Sequence, residues 1–185
     1  MRMLRGHNST NPVLRTENRL LLVVLTLLVI AWAFHGCGVY SFTGASIPPD
    51  ARTISIDYFP NNAPLVEPTL SQLITDGLRD RFLSQTSLSL VNENGDLQIS
   101  GVISDFSTRP MAIQGNETAA LNRLTISVKI TFVNTIDPSK DFESTFTRFE
   151  DYPSNQDLNS VKDQLIPTIN EALVDDIFNK SVVNW

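Results

Sequence analysis

The sequence is poor in the side chains on which most enzymes and metal sites depend. It has two histidines, His7 and His35, and one cysteine, Cys37, among its 185 residues. Histidine-dependent nucleophilic triads and the common zinc sites are therefore excluded from residue 38 onward. The glycines after that point also lack the spacing of a phosphate-binding loop. We expect no enzymatic activity, no metal and no organic cofactor.

Positive charge is scarce as well. The chain has a net charge of −6, and four of its 14 basic residues but only one of its 20 acidic residues lie in the first 36 positions. The remainder has ten basic and nineteen acidic residues, a net charge of −9. Proteins that bind nucleic acid concentrate positive charge on one face. We therefore expect no nucleic-acid partner, and any anionic ligand has to be met by a few local arginines or lysines.

The longest apolar run, Leu20 to Phe34, is short for a helix that spans a membrane. It contains 15 residues, whereas a spanning helix usually needs about 20. Four arginines precede the run and small residues follow it, which is the pattern of a secretory signal peptide. A core helix of a soluble domain fits poorly, because no polar face interrupts the run. Retention of this segment as an inner-membrane anchor is the remaining alternative.

The single cysteine lies directly after this run. The segment Phe34-His35-Gly36-Cys37 resembles the bacterial lipobox, in which the cysteine sulfur receives a diacylglycerol and cleavage makes the cysteine the new N-terminus. We predict that Cys37 is lipidated, with an ordinary buried thiol as the alternative. The predicted organisation is a signal peptide at 1–36 that is removed, a lipid-anchored tether at 37–51 and one domain at 52–185.

The patterns within this domain predict an α+β fold. A strand at 52–59 has Ile54, Ile56 and Tyr58 on one face, and Asn94-Gly95 indicates a hairpin turn after a strand near Leu88. The other predicted elements are strands at 97–107, 124–132 and 142–149, a helix at 65–82, and a helix at 157–179 that Pro167 bends or splits. The predicted order, β-α-β-β-β-α, gives a single β-sheet with two α-helices packed on one face.

Several segments of this part of the chain resemble a known family. They are CGVYSFTG at 37–44, ISIDYF at 54–59, NNA at 61–63, NRLTI at 122–126 and DIFN at 176–179 with the C-terminal Asn184-Trp185. In this order they resemble the Bacteroidetes-type members of the LptE family. The resemblance implies two helices on one face of a sheet and a non-enzymatic outer-membrane lipoprotein on the periplasmic side. It also implies a role as plug and assembly factor within the lumen of the LptD β-barrel, and assistance in lipopolysaccharide transport to the outer leaflet.

Four residues are candidates for contact with lipopolysaccharide or the partner. The segment from Thr108 to Asn122 is predicted as a long loop, with Arg109, Met111 and Arg123 at or near its ends. Arginine suits phosphate groups because its planar fork can bind them in a bidentate manner. Lys129, on the polar face of the strand at 124–132, is the fourth candidate. A solvated loop and strand with incidental charges are the alternative interpretation.

Two other functions stay open from the residues alone. The first is a periplasm-facing lipoprotein that binds a different protein or ligand through the same domain. The second is a lipid-anchored hydrolase that uses a serine with a lysine, or paired acids. Adjacent acids such as Asp175 and Asp176 point in directions about 100° apart on a helix, so they do not converge on one substrate.

Overall fold

A computed structural model of the protein describes residues 47–111 and 120–183, so the predicted signal peptide, Cys37 and most of the predicted tether lie outside the described residues. The strands are β1 (Thr53–Ile56), β2 (Ser89–Val91), β3 (Leu97–Met111), β4 (Leu121–Asn134) and β5 (Phe142–Pro153). The helices are α1 (Leu70–Gln85) and α2 (Leu158–Val182), and a 3-10 turn spans Pro138–Lys140. The α+β class and the order β-α-β-β-β-α are confirmed. The short β2 corresponds to the strand predicted near Leu88 and is one strand more than that order counts.

The five strands form one mixed sheet in the order β2-β1-β3-β4-β5. β1 is parallel to both of its neighbours, whereas β4 is antiparallel to β3 and β5. β1, α1 and β2 thus form a parallel β-α-β unit, and β3 to β5 form a meander. β2 pairs only with β1, and β1 pairs with β3 only at Leu97–Ile99. The end of the sheet that contains Met111, Leu121 and Pro153 is therefore formed by β3, β4 and β5.

One face of the sheet is apolar and packs against both helices. Residues that alternate along the strands are buried there, as the period of two requires. The core includes Ile54, Ile56, Leu97, Ile99, Ile103, Phe106, Leu124, Ile126, Val128, Ile130 and Phe132 from the sheet, and Ile74, Leu78, Phe82, Ile169, Leu173, Ile177 and Phe178 from the helices. These residues form a single cluster between the sheet and the helices. The other face of the sheet is not covered by either helix.

A bulge in β3 exchanges the two faces of that strand. The register against β4 shifts between Ile103 and Asp105, and Phe106, three positions after Ile103, is buried in the core. A bulge adds one residue to one strand of a pair, so every later side chain changes face. Arg109 and Met111 consequently lie on the face away from the helices. In a regular strand without the bulge, both side chains would point toward the core.

The helices differ in part from their predicted bounds. α1 begins at Leu70 rather than at residue 65, and Val66, which lies within the predicted helix, is 67% exposed. Pro68 disfavours helical geometry in the residue before it, which places the helix start after it. α2 runs unbroken through Pro167, so of the two predicted effects of this proline, a bend or a split, the split does not occur. Within the described ranges, no helix is long and apolar enough to cross a membrane.

The first strand is also shorter than predicted. It ends at Ile56, and Tyr58, predicted on the buried face, is 60% exposed. Phe59 is fully buried instead, with its ring over Gly101 of β3. A Cβ atom at Gly101 would lie 2.7 Å from that ring, so the absence of a side chain there makes room for Phe59. The chain leaves regular strand geometry after Ile56, which is why simple alternation failed at this point.

Asn94-Gly95 does not form the predicted hairpin, because β1 lies between β2 and β3. The segment between β2 and β3 instead crosses over the backbone of β1. The Gly95 amide donates a hydrogen bond to Ser55 Oγ, and a Cβ atom at Gly95 would lie 2.5 Å from the Ser55 nitrogen. Asn94 has a φ of 54°, a region that asparagine tolerates better than most residues. The two residues thus permit a close crossing rather than a tight turn.

An ion pair joins the β1–α1 connection to α2. Lys162 Nζ donates a hydrogen bond of 2.8 Å to Glu67 Oε2, and the Glu67 side chain is only 9% exposed. The hydrogen bond from Lys162 is the main cause that lowers the pKa of Glu67 below its ordinary value. This contact lies near the first turns of both helices, and it fixes the connection against α2.

Candidate functional site at the far end of the sheet

Five side chains come together on the face away from the helices, where the β3–β4 hairpin ends. Met111 pairs with Leu121, and Arg109 pairs with Arg123, across β3 and β4. Directly paired residues project to the same side of a sheet. Phe149 of β5 joins them, since the Arg123 guanidinium carbon lies 3.6 Å from the centre of its ring. We call these residues the tip surface: Arg109, Met111, Leu121, Arg123 and Phe149.

The predicted loop from Thr108 to Asn122 is largely strand. β3 continues to Met111 and β4 begins at Leu121, so the connection is shorter than predicted, and its residues 112–119 lie outside the described part. Pro110 falls where β3 has no strand on its outer side among the described residues. Proline is tolerated at such an edge, because no ladder hydrogen bond is lost there. The candidate residues are therefore held on a rigid sheet.

Arg123 is fixed by a double hydrogen bond to Asp151. Its Nε and one terminal nitrogen donate to the two carboxylate oxygens at 2.7 and 2.8 Å. These hydrogen bonds are the main cause that lowers the pKa of Asp151 and raises the pKa of Arg123 from their ordinary values. The guanidinium also stacks on Phe149, a favourable cation–π arrangement. Arg123 is thus oriented and largely neutralised before any ligand arrives.

Arg109 differs from Arg123 because it has no ion pair among the described residues. Its side chain is exposed and lies opposite Arg123 in the β3–β4 ladder. With Arg123 balanced by Asp151, Arg109 leaves these three residues with one uncompensated positive charge. In a domain with a strongly negative net charge, this position attracts an anionic group that the surrounding surface repels.

Apolar side chains surround this charge. Phe149 is 48% exposed, and Met111 and Leu121 are partly exposed. A positive charge beside exposed apolar groups suits an amphiphile with an anionic head and acyl chains. Phe149 could have been noticed in the sequence, because it is an aromatic residue on the otherwise polar face of β5. Its contact with Arg123 could not have been predicted, because it depends on how β4 and β5 pair.

Lys129 shares the face of the tip surface but lies apart from it. It lies six positions along β4 from Arg123, a distance of about 20 Å along a strand. It forms an ion pair with Glu143 of β5, and both side chains are about half exposed. The structure therefore brings together three of the four predicted site residues and leaves Lys129 outside this group.

One serine–lysine pair bears on the hydrolase alternative. Lys180 Nζ donates a 2.7 Å hydrogen bond to Ser144 Oγ at an exposed position. The ammonium also lies 4.9 Å from the centre of the Phe142 ring and 5.9 Å from that of Phe146. A lysine that activates a nucleophile is typically desolvated in an apolar pocket, whereas this pair lies at an exposed position. The pair therefore lacks the environment that activates a serine nucleophile.

Comparison with known proteins gives a family match and several matches to solved structures. The family model described as LptE, lipopolysaccharide-assembly, matches residues 51–181. A search of curated proteins gave no match.

The solved structures matched by this chain include lipoproteins of several bacteria. A minor lipoprotein from Acinetobacter baumannii is 13% identical, with a TM-score of 0.48 over 70% of this chain and 91% of that one. Uncharacterized lipoprotein B from Nitrosomonas europaea is 15% identical, with a TM-score of 0.47 over 77% and 88%. The PelC dodecamer from Paraburkholderia phytofirmans is 12% identical, with a TM-score of 0.40 over 70% and 92%.

Proposed function

This chain belongs to the LptE family of lipopolysaccharide-assembly proteins, and we propose that it plugs and helps assemble an LptD β-barrel. In this role it assists lipopolysaccharide transport to the outer leaflet and has no catalytic activity. The family match covers the whole sheet and nearly all of α2, so it concerns the domain that would enter the barrel. The compact α+β domain provides a preformed body of the kind that a plug requires.

The proposed location is the periplasmic side of the outer membrane. Residues 1–36 would be removed, Cys37 would carry the lipid, and residues 38–51 would tether the domain. Each buried methylene of an acyl chain contributes about 0.8 kcal/mol to membrane binding, and stable anchoring takes two signals, such as two acyl chains. A multiply acylated Cys37 would therefore hold the domain at the inner leaflet and within reach of the barrel lumen.

The tip surface is the proposed contact with lipopolysaccharide. The observation that carries this proposal is Arg109, which has no ion pair among the described residues, beside the exposed Phe149 and the partly exposed Met111 and Leu121. Arg109 would bind a phosphate of lipid A through its planar fork, and the apolar side chains would contact the adjacent acyl chains. Arg123, already held by Asp151 and Phe149, would position the surface and add a second donor group.

Charge reversal tests this contact. We expect the double variant Arg109→Glu/Arg123→Glu to weaken lipopolysaccharide binding by at least about tenfold, because hydrogen bonds to charged groups contribute about 1.5–3 kcal/mol each. The measurement is the dissociation constant of the purified full-length mature protein in detergent, together with the yield of assembled barrel in cells. Unchanged binding and unchanged assembly would remove the tip surface from the proposal.

Three further variants make the comparison specific. Arg109→Glu alone breaks no ion pair among the described residues, so it separates loss of binding from loss of folding. Lys140→Glu makes the same change of charge at the opposite end of the sheet and should bind normally. Lys129→Glu tests whether the contact extends along β4. Weaker binding in Lys129→Glu would enlarge the surface, and normal binding would confine it to the tip.

A further inference from the structure

β5 forms a long and regular edge of the sheet. Among the described residues it pairs only with β4, and all 12 of its residues do so without a shift of register. At about 3.4 Å per residue, the strand is about 40 Å long. An edge of this kind presents a row of unpaired N–H and C=O groups, which another strand can bind.

The pairing with β4 shows which backbone groups of β5 point outward. The Ser154 amide donates to the Ala120 carbonyl at 3.0 Å, so these two residues form a hydrogen-bonded pair of the ladder. Hydrogen-bonded and non-bonded pairs alternate along antiparallel strands. Even-numbered residues of β5 therefore bond to β4, and odd-numbered residues direct their N–H and C=O groups toward the free edge. The outward residues, all of them exposed, are Glu143, Thr145, Thr147, Phe149 and Asp151.

The other open edges of the sheet have features that discourage the addition of a strand. β2, at the opposite edge, has only three residues. The outer side of β3 contains the bulge after Ile103, followed by Pro110. Short strands, bulges and prolines are among the features with which proteins block their edges. Along its described length, β5 has no bulge and no proline before Pro153.

The charged side chains of β5 are mostly compensated, so they do not protect the edge. Three of the four form ion pairs: Glu143 with Lys129, Arg148 with Asp176, and Asp151 with Arg123. Glu150, the fourth, has no ion pair within the described ranges. Lys180 of α2 donates to Ser144 Oγ, six positions before Glu150 on the same side of the strand. This side therefore suits a strand with an acidic residue near Ser144 and a basic residue near Glu150.

We propose that β5 binds an extended segment of a partner polypeptide, which joins the sheet as a sixth strand. The segment would exchange backbone hydrogen bonds with Thr145, Thr147 and Phe149, and an extended backbone supplies donors and acceptors at the matching spacing. Its side chains would lie beside Lys180 and Glu150 on the side of the helices. The inference concerns the edge of the sheet and does not rest on the proposed function.

A second copy of this chain fits the edge poorly. If two β5 strands paired antiparallel through all five outward residues, Glu143 of each copy would lie opposite Asp151 of the other. Like charges directly opposite each other destabilise a strand pair. Complementary charges therefore favour a partner of different sequence.

Two peptides with identical side chains test the proposal. The first, acetyl-Lys-Lys-Val-Thr-Thr-Val-Thr-Glu-Lys-amide, places lysine opposite Glu150 and glutamate beside Lys180 when it pairs antiparallel with β5. The second has N-methyl groups on its third, fifth and seventh residues, whose N–H groups would face β5 in this register. Both are titrated into the ¹⁵N-labelled full-length mature protein in detergent, and the amide signals of β5 are followed by NMR.

The first peptide should give saturable shifts and slower hydrogen exchange at Thr145, Thr147 and Phe149. The methylated peptide should bind at least about tenfold more weakly, because it lacks three backbone donors. Equal binding of the two peptides would show that side chains or overall charge cause the attraction, and would overturn the proposal. Absence of saturable binding by the first peptide would overturn it as well.

A proline variant connects the binding to the free edge. Thr145→Pro removes one outward N–H and no hydrogen bond to β4, and proline is tolerated at such an edge position. The variant should fold but bind the first peptide at least about tenfold more weakly. The control Thr145→Val keeps the N–H and should bind normally. Normal binding by Thr145→Pro, or equal loss in Thr145→Val, would refute the strand addition.

Sedimentation of the wild type and of Thr145→Pro tests the alternative occupant. The proposal predicts the same oligomeric state for both proteins. A dimer of the wild type that is absent in Thr145→Pro would assign the edge to a second copy and would overturn the proposal of a separate partner.

Discussion

The variant Gly95→Ala is expected to lose about 3 kcal/mol of folding stability, the upper end of the usual cost of overpacking, and roughly 10 °C in Tm. A Cβ atom at this position would lie 2.5 Å from the Ser55 nitrogen, 2.7 Å from the Ile54 carbonyl carbon and 2.8 Å from the Leu97 carbonyl oxygen. All three are backbone atoms of paired strands, so no flexible side chain can move away. Thermal and urea unfolding of the variant and the wild type measure the difference.

The neighbouring residue provides the control for this prediction. Asn94 already has a φ of 54°, which glycine adopts without a steric penalty. Asn94→Gly should therefore change the free energy of unfolding by less than about 1 kcal/mol. If Gly95→Ala were as stable as the wild type, the crossing of residues 92–96 over β1 would be wrong, and with it the strand order β2-β1-β3.

The second large effect is expected for Cys37→Ala. If Cys37 carries the acyl chains, the variant has no sulfur to acylate, and when it is produced in excess of the proposed barrel partner it should disappear from the outer-membrane fraction almost completely. Residues 37–185 have a net charge of −9, so electrostatic attraction to anionic lipid does not replace the anchor. Cell fractionation measures the loss, and Ser41→Ala, four residues along the predicted tether, is the control that should remain in the outer membrane.

Mass spectrometry of the wild-type N-terminus decides what the chain begins with. The account predicts an acylated Cys37 as the first residue. A chain that retains Met1, with a free thiol at Cys37, would show instead that the apolar run from Leu20 to Phe34 stays in place as an inner-membrane anchor.

The sequence predicts the class and element order of this fold but not its strand order. Alternation identifies the apolar face of β4 correctly, since Leu124, Ile126, Val128, Ile130 and Phe132 are all buried. Strand order depends on pairing between distant residues, which local patterns do not contain. Asn94-Gly95 shows the difficulty, because the same two residue types that favour a tight hairpin turn also permit a close backbone crossing.

The candidate site was predictable only in part for a related reason. Arg109, Met111 and Arg123 stand out in the sequence, but their common face depends on the bulge after Ile103, which local alternation does not reveal. The partnership of Arg123 with Asp151 and Phe149 follows from the β4–β5 register. That register distinguishes the neutralised Arg123 from Arg109, which has no ion pair within the described ranges. The proposed ligand contact depends on this distinction.

Co-purification from detergent-solubilised outer membrane tests the central claim most directly. The full-length mature protein, tagged at its C-terminus, is captured under mild conditions, and the captured material is analysed by mass spectrometry and for lipopolysaccharide. The account predicts an LptD barrel in near-equal amount, with lipopolysaccharide present. A folded, acylated protein that is recovered from the outer membrane without any LptD barrel would contradict the account and would favour a lipoprotein that serves another partner.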